Sequence, residues 1–115
     1  MKMNKTIAGY HILMILSAVD FKLSTEEDLI IRDYLVKEFP FRISLDREIE
    51  ILSGLHPEEW ESHFLKCMDD FYSDSTEEER RDLVQFAINL CKVDNVITIE
   101  ENNFLNLLFN QWYHE

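Results

Sequence analysis

The chain has 115 residues, enough for one domain and too few for two of ordinary size. A 46% apolar and 12% aromatic share excludes a disordered chain, and 23 acidic against 11 basic side chains, a net charge of -12, makes nucleic acid and anionic lipid poor partners, because both are bound mainly through cationic groups. Only two glycines and two prolines interrupt the chain, which favours long helices over many short strands, and the acidic excess suits divalent cations or a basic protein partner.

The first segment, about Lys5 to Val19, is apolar on nearly all sides through Ile7, Ala8, Ile12, Leu13, Met14, Ile15, Leu16, Ala18 and Val19, the pattern of a central, buried helix. Lys2 and Lys5 ahead of this run superficially resemble a secretory signal. Tyr10 and His11 interrupt the run, however, and the segment recurs in an internal repeat, so a cytoplasmic location is expected. The run is also too short to span a bilayer, and no membrane insertion is expected. Asp20 to Leu23 turn the chain, and Ser24 with Glu27 three residues on forms a capping-box pattern that opens a second helix. Leu29, Ile30, Tyr34, Leu35 and Phe39 are expected on its inward face, and Pro40 ends it.

A shorter helix follows from about Leu45 to Ser53 and stops at Gly54. Pro57 then stands at a favourable first-turn position of a fourth helix, whose apolar stripe is Trp60, Phe64, Cys67, Met68 and Phe71. Tyr72 to Ser75 reads as a loop, and Thr76 with Glu79 repeats the capping box. The fifth helix carries Leu83, Val84, Phe86, Ala87, Ile88, Leu90, Cys91 and Val93 and ends at Asp94. Thr98 with Glu101 opens the last, whose Phe104, Leu105, Leu108, Phe109 and Trp112 face the core. The expected fold is all-α, with residues 1–115 forming a single compact bundle of about six helices in two pseudo-symmetric helix-turn-helix halves. Cys67 and Cys91, both in apolar periodic segments, are expected as free thiols.

Sliding the sequence by 74 residues lays Leu16, Val19, Asp20, Glu26 and Glu27 on Leu90, Val93, Asp94, Glu100 and Glu101. Each unit thus ends an apolar helix in Asp and opens the next with Glu seven residues later. Glu27 and Glu101 are explained as helix-capping carboxylates. Asp20 and Asp94 are less comfortable, because a carboxylate at a helix C-terminus faces the negative end of the dipole. An Asx-type turn accounts for them, and so does a hard cation such as Ca²⁺ or Mg²⁺ held by Asp20, Glu27, Asp94 and Glu101. Neither turn is an EF-hand, since the twelfth positions counted from Asp20 and Asp94 are Ile31 and Leu105.

An apolar helix ending in Asp, an aliphatic residue three later and a Glu seven later, in both halves of a small helical chain, resembles the TerB-like family of tellurite-resistance-associated proteins. The resemblance covers roughly residues 7 to 38 and 83 to 112. It implies a non-catalytic divalent-cation-binding module of a stress-related type, with Asp20, Glu27, Asp94 and Glu101 as the metal residues. Phe21 and Asn95 stand where that family commonly has Gly, and Asn accepts the left-handed conformation better than Phe, so Asp94 with Glu101 is the better-formed turn.

His63 and Cys67, four apart, have the spacing of a zinc ligand pair, but two ligands do not make a structural site, and a buried thiol beside a surface His is the simpler expectation. No nucleophile elbow, phosphate loop, dinucleotide fingerprint or zinc-protease motif occurs, so no enzyme is expected. The cluster Asp69, Asp70, Asp74, Glu77, Glu78, Glu79 and Asp82 reads as a solvated face; the alternative to a metal module is a metal-free domain whose acidic surface docks a basic protein.

Overall fold

The apolar run that starts at Lys5 becomes the axis of the molecule. In the computed structural model, which describes residues 4–18, 25–38, 45–91 and 99–112, this run is α1 (Lys5–Ala18). Around it stand α2 (Thr25–Glu38), α3 (Asp46–Ser53), α4 (Trp60–Asp74), α5 (Glu77–Cys91) and α6 (Ile99–Trp112), with a 3-10 turn over Pro57–Glu59 leading into α4. The fold is an all-α bundle of six helices, with no strand among the described residues. None of these helices is long and apolar enough to cross a membrane.

α1 packs against every other α-helix, most extensively against α4 and next against α2. Ala8, Tyr10, Ile12, Leu13, Met14 and Leu16 are all fully buried, as an all-round apolar helix requires. Gly9 leaves room for a close approach: a Cβ there would stand 3.3 Å from Leu35 of α2 and 3.3 Å from Phe71 of α4. The α4 stripe lies as its spacing predicts, with Phe64, Cys67, Met68 and Phe71 buried and Trp60 packed at the margin. Stacked rings join the remaining layers, Tyr34 of α2 on Phe86 of α5 at 4.0 Å and Phe71 of α4 on Trp112 of α6 at 5.4 Å.

Burial on all sides extends to the polar residues of α1. Tyr10 is fully buried and donates from its hydroxyl to Asp28 Oδ1 at 2.6 Å. Arg32 Nε donates to the same oxygen at 3.0 Å and its Nη1 to Asp46 Oδ1 at 2.8 Å, so one network ties α1, α2 and α3 together. The phenol is pushed well above its ordinary pKa by burial and by the facing Asp28 carboxylate, which keeps the hydroxyl a donor.

This network also corrects the expected face of α2. Leu29 and Ile30, read as inward, are 61% and 47% exposed, while Asp28, Ile31 and Leu35 point into the bundle. The inward row begins at an acidic residue whose charge is met by Tyr10 and Arg32, which a count of apolar positions does not register. Phe39 lies outside the described residues. In α6, Leu105 and Leu108 are buried as expected, whereas Phe109 is 40% exposed.

The corner between α4 and α5 differs from the expected loop. Tyr72, Ser73 and Asp74 continue α4 for almost another turn. Ser73 Oγ donates to the Asp69 carbonyl, and Arg80 Nη1 donates to the carbonyls of Tyr72 and Ser75, satisfying groups that a helix end otherwise leaves to water. The capping box of α5 forms as read: Thr76 N–H donates to Glu79 Oε1 at 2.9 Å and Glu79 N–H to Thr76 Oγ1 at 3.1 Å. Lys5 binds the same corner, its backbone N–H on Asp74 and its Nζ on Glu79.

Tyr10→Phe removes one donor from the buried Asp28 carboxylate and leaves the ring in place. A loss of about 1–3 kcal/mol is expected, read as a lower denaturant midpoint at unchanged m-value. An unchanged midpoint would show that Arg32 alone satisfies Asp28.

Candidate metal centre

His11, at the middle of α1, is fully buried, and its two ring nitrogens are both engaged. Nε2 lies 2.8 Å from Glu48 Oε1 of α3, and Nδ1 lies 2.8 Å from His63 Nε2 of α4. The rings of His11 and His63 are 4.9 Å apart and tilted by 49°. Cys67, one turn along α4 from His63, completes a group in which one ligand atom from each residue lies within 4.8 Å of the other two. Three helices therefore supply this centre: α1 gives His11, α3 gives Glu48, and α4 gives His63 and Cys67 from one face at i and i+4 spacing.

The protons follow from the partners. A carboxylate oxygen only accepts, so the Glu48 contact puts the His11 proton on Nε2 and turns the Nδ1 lone pair toward His63, whose Nε2–H then donates. Both rings are held neutral. Burial pushes His11 below the ordinary value of 6.5, with Lys66 adding to the effect and Glu48 opposing it. Burial also lowers His63, helped by His11 and Lys66 and opposed by Asp70 and Glu59. The Glu48 contact is accordingly a hydrogen bond from a neutral imidazole and not an ion pair. Burial pushes the Cys67 thiol up to about 12, which makes it inert as a nucleophile while no cation is beside it.

This geometry contains the parts of a metal site with its outer support. A histidine that ligates through one nitrogen and donates from the other to a carboxylate is the usual way a protein fixes the ligand tautomer and ring orientation, and Glu48 stands in that position. Two imidazole nitrogens and a thiolate are donors for Zn²⁺ and its neighbours, not for Ca²⁺ or Mg²⁺, which take oxygen. An ion at about 2.0–2.1 Å from both nitrogens would set them roughly 3.3 Å apart, so the present contact has to widen by only about half an ångström. It also requires the His63 proton to move from Nε2 to Nδ1.

Of the acidic-turn residues, Asp20 and Asp94 lie outside the described residues. Glu27 and Glu101 fall in the first turns of α2 and α6, and their side chains lie outside the described set, as does that of Cys91. The acidic face around the α4–α5 corner is partly structural: Asp70 is buried against Lys66, Asp74 and Glu79 hold Lys5, and Glu77 pairs with Arg81. Glu38, Glu78, Glu79 and Asp82 surround an open pocket of about 190 Å³ floored by Tyr34.

The His63 and Cys67 pair was legible as zinc spacing; the third donor was not counted. A histidine within an otherwise all-round apolar helix is itself a signal, because a buried imidazole needs partners for two nitrogens. Glu48 carried no such mark. Comparison with known proteins finds no matching family model, no matching curated relative and no matching solved structure.

Both histidines bind protons less readily folded than unfolded, so the unfolded chain takes up more protons as pH falls below 6.5. The stability present above that pH is therefore lost as pH falls toward the lowered folded values. Thermal melts of the metal-free protein, taken with a chelator from pH 7.5 down to about 5, should show this loss, and His63→Gln should reduce its slope while keeping an amide donor for His11. Parallel slopes for the two proteins would contradict the assignment of neutral rings.

Proposed function

We propose that this chain is a non-catalytic metal-binding helical module, with a divalent ion of the zinc class held by His11, His63 and Cys67 and with Glu48 orienting His11. The observation that carries this reading is the convergence of three nitrogen and sulfur donors inside one bundle, with a carboxylate behind the buried His11. Charge supports a divalent ion. The Cys67 thiolate and the Glu48 carboxylate together offset two positive charges, and a buried ion left unbalanced would cost several kcal/mol. The TerB-like resemblance, which rests on the acidic turns, would set such a module in a stress-related context and would add a hard-cation site at Asp20, Glu27, Asp94 and Glu101.

The test separates the two kinds of cation. Zn²⁺ at about 100 times its dissociation constant adds roughly 2.7 kcal/mol to the folded state, a rise in melting temperature on the order of 10 °C or more for a domain of this size. That rise should vanish in Cys67→Ser and in His63→Gln and persist in Asp20→Asn combined with Asp94→Asn. A rise with Ca²⁺ or Mg²⁺ alone, abolished by the double Asp→Asn variant, would move the site to the acidic turns. No rise with any of these ions would end the metal reading in favour of the acidic docking domain, for which the groove of Glu38, Glu78, Glu79 and Asp82 is the surface to examine.

A further inference from the structure

Three protein donors leave a zinc-class ion one short of four, and among the described residues the group of mutually close donors ends at His11, His63 and Cys67. Glu48 is turned to His11 Nε2 and acts from behind that ring. Of the three donors, His11 and Cys67 are fully buried, while His63 is only partly so. His63 also lines an open pocket of about 390 Å³, together with Leu55, Glu58, Glu59, Ser62 and Lys66. The pocket is large enough for a small ring, and the one donor that is not sealed in, His63, is among its lining residues.

We propose that the metal centre keeps its fourth coordination position for an exchangeable ligand that arrives through this pocket, and that the ligand is a neutral nitrogen donor of the imidazole type. The inference rests on the metal reading above. Three protein ligands with an open fourth position are the arrangement of zinc sites that exchange ligands, whereas structural sites close all four with protein. The pocket walls select the ligand class. Glu58 and Glu59 put two carboxylates in the lining, and the ammonium of Lys66 is paired with Asp70 at 2.9 Å, so a small anion meets net negative charge there. A neutral imidazole meets no such barrier, and Leu55 supplies an apolar wall for a flat ring.

The experiment loads the full chain with Co²⁺, whose visible bands report coordination, and titrates imidazole and, separately, azide. Imidazole should change the ligand-field bands saturably while the thiolate-to-cobalt charge-transfer band persists, showing that Cys67 stays bound. Azide should require a concentration roughly tenfold higher, and Glu58→Gln combined with Glu59→Gln should narrow that gap. Glu59→Gln retains the side-chain oxygen that accepts the His56 backbone N–H at 3.0 Å, so the fold of the turn is kept. Bands that neither ligand alters would show a closed site and overturn the proposal; azide binding at the same or a lower concentration than imidazole would overturn the ligand class. A Co²⁺ protein with no thiolate band from the outset would overturn the metal reading itself.

Discussion

A helix buried on every side has no face on which to leave a polar group in water, and α1 carries Thr6, Tyr10 and His11 among its buried residues. An unpartnered buried donor or acceptor costs about 1–3 kcal/mol, a cost that Thr6 Oγ1, with no hydrogen-bond partner among the described residues, still carries. The cost is avoided for Tyr10 and His11 by two polar chains that leave α1 in different directions. Tyr10 runs to Asp28 and through Arg32 to Asp46; His11 runs to Glu48 on one side and His63 on the other. Each chain reaches α3, so Asp46 and Glu48 add polar ties to a short helix whose apolar anchors are the buried Leu52 and the partly buried Ile49.

The two chains differ in what they leave available. Around Tyr10 the acceptor is a carboxylate met by a guanidinium, a closed set with no free lone pair aimed at a common point. Around His11 the groups that meet are two imidazole nitrogens and a thiol, the donor types that could hold a metal ion once the Cys67 proton has left and the His63 proton has shifted. A hydrogen bond between two neutral imidazoles satisfies the fold while no ion is bound, so the centre is held near its ligating shape without one. That is preorganisation in the ordinary sense: the donors are already gathered within 4.8 Å of one another, and the two imidazole nitrogens have to part by only about half an ångström.

Much of the architecture was legible in the sequence because it depends on local spacing. The stripe of α4, the all-round burial of α1 and the Thr76–Glu79 capping box each follow from residues within a few turns of one another. The inward face of α2 was misread because its first member is Asp28, and an acidic residue joins a core only when partners from elsewhere in the chain arrive. The end of α4 was misread for a similar reason, since Tyr72 to Asp74 stay helical through Ser73 and through Arg80 from the next helix. The candidate metal centre lies between these cases. His63 and Cys67 are one turn apart and could be seen, but His11 is 52 residues from His63 and 37 from Glu48, and only the packing of α1 against α3 and α4 brings them together.

The most direct measurement is the X-ray absorption fine structure of the zinc-loaded protein, because it counts the atoms bound to the ion without a substitution that disturbs the core. One sulfur at about 2.3 Å with nitrogen donors at about 2.0–2.1 Å is the expected shell. A shell of oxygen alone, with no sulfur, would contradict the assignment of His11, His63 and Cys67 as the ligands.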